Sequence, residues 1–133
     1  MAIISITRLR LRSSRFFLPF LWYSVRSFLQ AKRAPGNLER SMLRGRDGSY
    51  WTLTSWRDEE SVRAFMLSGA HRQAMPKLLS WCDEASVARY QAPSGELPDW
   101  KQAHRILVTQ GRASKVHHPS PHHARLDFPS PVD

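Results

Sequence analysis

His71 is the side chain of this sequence best suited to chemistry. An imidazole titrates near neutrality, so it can move a proton, and its ring nitrogens ligate iron. His71 closes the run YWTLTSWRDEESVRAFMLSGAHRQAM, residues 50–75. The plainer alternative is a helix-end histidine bonded to a nearby carbonyl or to water. Arg72, next along, either neutralises a carboxylate or faces solvent. Trp22, Trp51, Trp56 and Phe65 have the size and flatness to line a pocket for a planar apolar ligand. The same four residues would serve equally as core and interface packing.

Other reactive residue types have simpler roles. Asp58, Glu59 and Glu60 form an acidic cluster that would suit acid–base or metal work. Negative charge is also what the exposed amides of a helix start attract, and capping accounts for all three. Cys82 is the single cysteine, so no internal disulfide forms. With no evident base or cation beside it, it reads as a small half-buried hydrophobe. His117-His118 and His122-His123 lie among prolines, without a scaffold to shape a metal site. There is no Gly-rich phosphate loop, dinucleotide fingerprint or nucleophile elbow.

The elements that position these residues follow from periodicity. Residues 2–11 (AIISITRLRL) alternate as a strand, with Arg8, Arg10 and Arg12 carrying the Ile4 face on toward solvent or an anion. Leu18, Leu21, Trp22, Val25, Phe28 and Leu29 recur at three- and four-residue steps, which predicts a helix over 14–32 with this stripe inward. Residues 38–46 and 50–56 are two strands joined by the hairpin signal Asp47-Gly48. A helix is expected from 58 to 75, with a break at Gly69 and a stop before Pro76. A short helical piece over 77–83 and a strand over 85–90 follow. A last helix carries Trp100, Ala103, Ile106 and Leu107 and ends at Gly111. Residues 112–133 have clustered Pro and His and no periodicity, and read as a disordered tail after a single domain over 1–111.

Charge is unevenly spread. The formal net charge is +9; residues 1–46 hold ten Lys/Arg against Glu39 alone, and residues 47–133 are balanced. A basic half of this kind can recruit nucleic acid, a membrane surface or anionic ligands. No nucleic-acid module is recognisable, so nucleic acid is not the expected partner. The apolar run FFLPFLWYSV after Arg8–Arg15 imitates a signal peptide, but Pro19 interrupts it and no small-residue cleavage site follows. A cytoplasmic protein is expected, with membrane-surface association as a lesser alternative.

The order strand, helix, strand, strand, helix, strand, helix gives an α+β, ferredoxin-like fold. It is βαββαβ plus a C-terminal helix, with a four-stranded antiparallel sheet. The apolar second face of that sheet predicts face-to-face packing in a homodimer, a dimeric α/β barrel. The stretch WTLTSWRDEESVRAFMLSGAHRQAM resembles the strand–helix unit of antibiotic-biosynthesis-monooxygenase-like proteins. FFLPFLWYSVRSFLQAKRAPGNL followed by WTLTSW resembles the spheroidene monooxygenase-like branch. The resemblance spans about residues 2–110. It implies oxygen-dependent chemistry on an apolar, carotenoid-, quinone- or haem-like molecule held between sheet and helices. It also implies haem as a cofactor candidate, with His71 as its ligand. The full residue set of the haem-degrading branch is not carried over: Phe65 stands where that branch has Trp, and Ser5 or Thr7 where it has Asn. Two alternatives accompany the monooxygenase-like reading. One is a non-catalytic dimeric binding or stress-related module. The other is an anionic-surface binder using the N-terminal arginines.

Overall fold

A computed structural model describes residues 1–133. The chain runs β1 (Ala2–Leu11), a 3-10 turn (Ser14–Phe16), α1 (Phe17–Arg33), β2 (Asn37–Arg44), β3 (Tyr50–Trp56), α2 (Glu59–Met66), α3 (Gly69–Trp81), β4 (Cys82–Ala92), α4 (Trp100–Gln110) and β5 (Arg112–Ala113). The sheet is antiparallel throughout, in the order β2-β3-β1-β4-β5. The ferredoxin-like α+β fold is therefore present, with five strands where the sequence predicts four.

β1 lies at the centre because its residues alternate between two buried faces. Ile3 pairs with Trp56 and shares a cluster with Ala31 of α1 and Val62 of α2. Ile4 and Ile6 point the other way, into a cluster with Trp51, Leu53, Ala88 and, from α4, Ala103 and Leu107. The β2–β3 hairpin turns at Asp47-Gly48, where Gly48 has φ 81°. Asp58 caps α2 by accepting from the Ser61 amide at 2.8 Å, as the acidic cluster predicts. Asp99 caps α4 in a capping box with Gln102.

Four local expectations are corrected. First, α1 does not bury its most apolar stripe. It buries Phe20 and Ala31, while Leu18, Leu21, Trp22, Val25 and Leu29 are exposed. Second, the break expected at Gly69 (φ 59°) is present between α2 and α3, but the second helix does not stop before Pro76 and runs on to Trp81. Pro76 lies inside α3 rather than after it, on the exposed side, where it costs one helical hydrogen bond. Third, the helical piece expected over 77–83 is the end of α3, which closes at Trp81, and β4 begins at Cys82 rather than at residue 85.

Fourth, residues 112–133 return along the sheet. The Ser114 amide donates to Ala85 O at 2.8 Å and the Ser120 amide to Asp83 O at 2.9 Å. His123 is 8% exposed, and Phe128 packs on the Ile4 cluster. The sheet face expected to seat a second copy thus carries α4 and Phe128. The apolar content of that face no longer requires a homodimer.

Candidate functional site

The residues singled out in the sequence fall in different places. Trp51 and Trp56 are five positions apart on β3, an odd spacing, so they point to opposite faces of the sheet. Both are fully buried. Trp51 donates its indole N–H to Ser49 Oγ at 3.1 Å, and Trp56 to Thr54 Oγ1 at 2.9 Å, which satisfies each buried donor. Trp22 stands 62% exposed on the outer side of α1. No common aromatic pocket joins these three.

Phe65 and His71 do meet. Their ring centroids are 4.7 Å apart, and Phe65 lies 5.0 Å from Trp56, so an aromatic chain runs from the sheet through α2 to α3. The His71 amide donates to Gln30 Oε1 at 2.9 Å, and Met66 O lies 3.4 Å from His71 Nδ1. Burial pushes the imidazole pKa below its ordinary 6.5. The Met66 carbonyl works against that shift and the charge of Arg89 works with it. His71 is therefore a neutral ring at neutral pH.

A cleft of about 770 Å³ lies between α1 and α2. Leu29, Ala34, Pro35, Ala64, Phe65 and Ala70 give it an apolar lining. Arg26, Arg33, Arg57, Asp58 and Glu60 also line it. Arg57 and Asp58 pair at 3.4 Å, and the Asp58 carboxylate also accepts from Ser61 Oγ at 2.6 Å. The Ser61 hydroxyl and amide hold the Asp58 carboxyl below the usual carboxylate range. Asp58 is thus committed to capping. Arg26 and Arg33 have no acidic partner. Of the aromatic residues expected to form the pocket, Phe65 alone lines this cleft. His71 lies behind Phe65 and does not line it, so a haem in the cleft would find no lining imidazole.

Residues that sequence reasoning did not reach organise the cleft. Gln30 on α1 donates through Nε2 to Ser68 O at 2.8 Å and to Phe65 O at 3.2 Å, and accepts from His71 through Oε1. One amide side chain thereby fixes the α2–α3 junction against α1. Gly36 lies so close to Ser61 that a methyl group there would overlap the hydroxyl. Neither role has a sequence signature, because both depend on which helices become neighbours.

On the opposite face lies a buried ionic cluster. Arg8, 1% exposed, donates to Glu84 and to Asp47 at 2.7 Å each. Arg10 reaches Glu84 at 2.8 Å, and Ser120 Oγ donates to it at 2.7 Å. The Phe128 ring lies 4.1 Å from the Arg8 guanidinium. The anion that the arginine row on β1 was expected to meet is thus internal. Desolvation raises the Glu84 carboxyl, but the bonds from Ser120 and Arg8 outweigh it and leave it below its ordinary 4.5. Cys82 is buried, and desolvation pushes its thiol up to about 12, which keeps it protonated and inert.

The family model described as Domain of unknown function (DUF3291) matches residues 25–117. No protein of curated function matches the sequence. Among solved structures, SnoaB, a cofactor-independent oxygenase from Streptomyces nogalater, superposes with a TM-score of 0.58 at 19% identity, covering 74% of this chain and 98% of its own. A conserved protein from Methanosarcina mazei Go1 gives 0.61 at 16% identity over 68% and 92%. An antibiotic biosynthesis monooxygenase gives 0.61 at 10% identity over 69% and 99%. The fold is that of the antibiotic-biosynthesis-monooxygenase-like proteins, as the strand–helix unit of residues 50–75 implies.

Proposed function

The chain belongs to the family described as a domain of unknown function, DUF3291, and we propose that it holds an apolar small molecule bearing one anionic group in the cleft between α1 and α2. The observation that carries this is an apolar lining that includes Phe65 together with two arginines, Arg26 and Arg33, that form no ion pair although Asp58 and Glu60 line the same cleft. An apolar body would lie against Phe65 and Leu29, and a carboxylate or enolate would meet the guanidinium pair. Oxidation of the held molecule is the activity that the monooxygenase-like fold suggests, by analogy of fold alone. A second reading, a binding module without catalysis, draws on the lining chemistry: Asp58 is spent on capping, and His71 does not line the cleft. Haem has no part in either, and His71 serves as packing behind Phe65. A homodimer remains compatible with both but is not needed to complete the cleft.

Titration with a naphthoquinol and with a polyene carboxylate, read by tryptophan quenching, tests the site. Saturable binding should weaken about tenfold or more in Arg33→Ala, the loss of one charge-assisted bond. It should weaken comparably in Phe65→Ala. Oxygen uptake with the bound compound separates the oxygenase from the binding module. Saturation that ignores both substitutions removes the cleft as the site. A Soret shift on adding haem that His71→Ala abolishes replaces it with haem ligation.

A further inference from the structure

The outward stripe of α1 has no partner in the fold. Leu18 is 74% exposed, Trp22 62% and Val25 50%, with Leu21 and Leu29 above 40%. At 3.6 residues per turn these five positions occupy an arc of about 100°. A continuous apolar stripe of this kind marks an interaction surface. Its electrostatic setting is one-sided. α1 carries Arg26, Lys32 and Arg33 and no acidic residue, and no acidic residue occurs before Glu39. α3, packed beside it, contributes Arg72 and Lys77 and likewise no acid. Arg26 lies 5.6 Å from the Trp22 ring, so a cation borders the stripe directly, while Lys77 lies 5.7 Å from Tyr23 on the adjoining side of α1. Asp58 and Glu60 of α2 line the same cleft as Leu29, Arg26 and Arg33, so the one-sided charge belongs to the Leu18–Val25 part of the stripe.

From this we infer that α1 is an interfacial helix that lays its Leu18–Trp22–Leu29 stripe into the headgroup region of an anionic membrane. An apolar face bordered by Lys and Arg, with a tryptophan among its aliphatic residues, is the composition such helices need. No helix is long and apolar enough to cross a bilayer, so the attachment is peripheral. A second copy of this chain suits the surface poorly. A two-fold contact would bring together two α1 helices that carry Arg26, Lys32 and Arg33 and no acidic residue of their own. An anionic bilayer satisfies both halves of the surface at once. Leu29, Arg26 and Arg33 also line the cleft, so a docked helix would hold the cleft mouth at the lipid surface. The docking itself is independent of whether the cleft binds a ligand.

Flotation of the full chain with vesicles tests this without any ligand. Vesicles of equal parts phosphatidylglycerol and phosphatidylcholine should carry the protein, and pure phosphatidylcholine should not. Raised salt should release it. Arg26→Glu and Arg33→Glu should each lower partitioning about fivefold or more, and Leu18→Ser with Trp22→Ser should abolish it. All four positions lie outside the buried clusters, and unchanged circular dichroism checks that each variant is folded. Equal binding to neutral vesicles, no binding to anionic ones, or binding indifferent to the Leu18 and Trp22 changes would overturn the inference. So would sedimentation as a dimer that the same two changes dissociate, which would identify a second copy as the occupant. Loss of ligand binding in Phe65→Ala with flotation intact leaves the docking standing and bears on the cleft alone.

Discussion

Replacing Arg8 by methionine probes the ionic cluster beneath Phe128. The substitution keeps the apolar stem and removes a charge that is 1% exposed. It breaks two contacts of 2.7 Å, to Glu84 and to Asp47. Breaking a buried pair by removing one partner typically costs about 3–5 kcal/mol, because the remaining charge stays desolvated. Here the residue left behind is partly provided for. Glu84, with its side chain 4% exposed, keeps Arg10 at 2.8 Å and Ser120 at 2.7 Å, and Asp47 is 25% exposed. The loss should therefore fall near the lower end, about 3 kcal/mol, a large share of a typical domain's stability of roughly 5–15 kcal/mol. Urea unfolding followed by fluorescence reads it as a lower midpoint at constant slope. The double variant Arg8→Met with Glu84→Gln should recover part of the loss, since the stranded carboxylate is gone. A cost under about 1 kcal/mol for Arg8→Met, with no coupling to Glu84, would refute the assignment of this cluster as a buried, mutually dependent network.

Two further outcomes follow from the same geometry. His71 has its pKa held below 6.5 by burial, so the unfolded chain takes up a proton first on acidification. Stability should fall as pH drops below about 6.5, and in His71→Gln that segment of the pH–stability curve should flatten; an unchanged curve would show that His71 is not desolvated. Removing residues 114–133 should lower the thermal midpoint by several degrees and admit a hydrophobic dye to the Ile4 cluster, since Phe128, Ser120 and His123 leave with them. A truncated chain that melts like the full one would show that these residues contribute no packing.

The parts of the fold legible in the sequence are those specified by neighbouring residues. Alternation in β1, the Asp47-Gly48 turn, the Asp58 cap and Gly69 as a break all act over a few positions, and the structure carries each of them. The inward face of α1 is not legible in the sequence because α1 has two apolar sides. Periodicity selects the stronger, Leu18 to Leu29, but the sheet takes Phe20 and Ala31, which sit where the helix meets Trp56 and Tyr50. Residues 112–133 show no period because they attach through single anchors, Phe128 on Arg8 and Ser120 on Glu84. Composition is blind to attachment of that kind. The separation of Trp51 from Trp56 was readable from their odd spacing. Gln30 was not, since its importance comes from the junction of α2 and α3 being placed beside α1.

The position of β1 also sets the timing of assembly. Arg8 and Glu84 are 76 residues apart, and a ribosome adds about 5–20 residues per second. Glu84 is therefore made roughly 4–15 s after Arg8, and Phe128 later still. Asp47, the other partner of Arg8, is made about 2–8 s after it, so for the rest of that interval Asp47 is the one carboxylate of the pair available to Arg8. β2 and β3 can pair with each other, and then with β1, before β4 exists. A three-stranded stage of that kind would have β1, the central strand of the finished sheet, as its open edge.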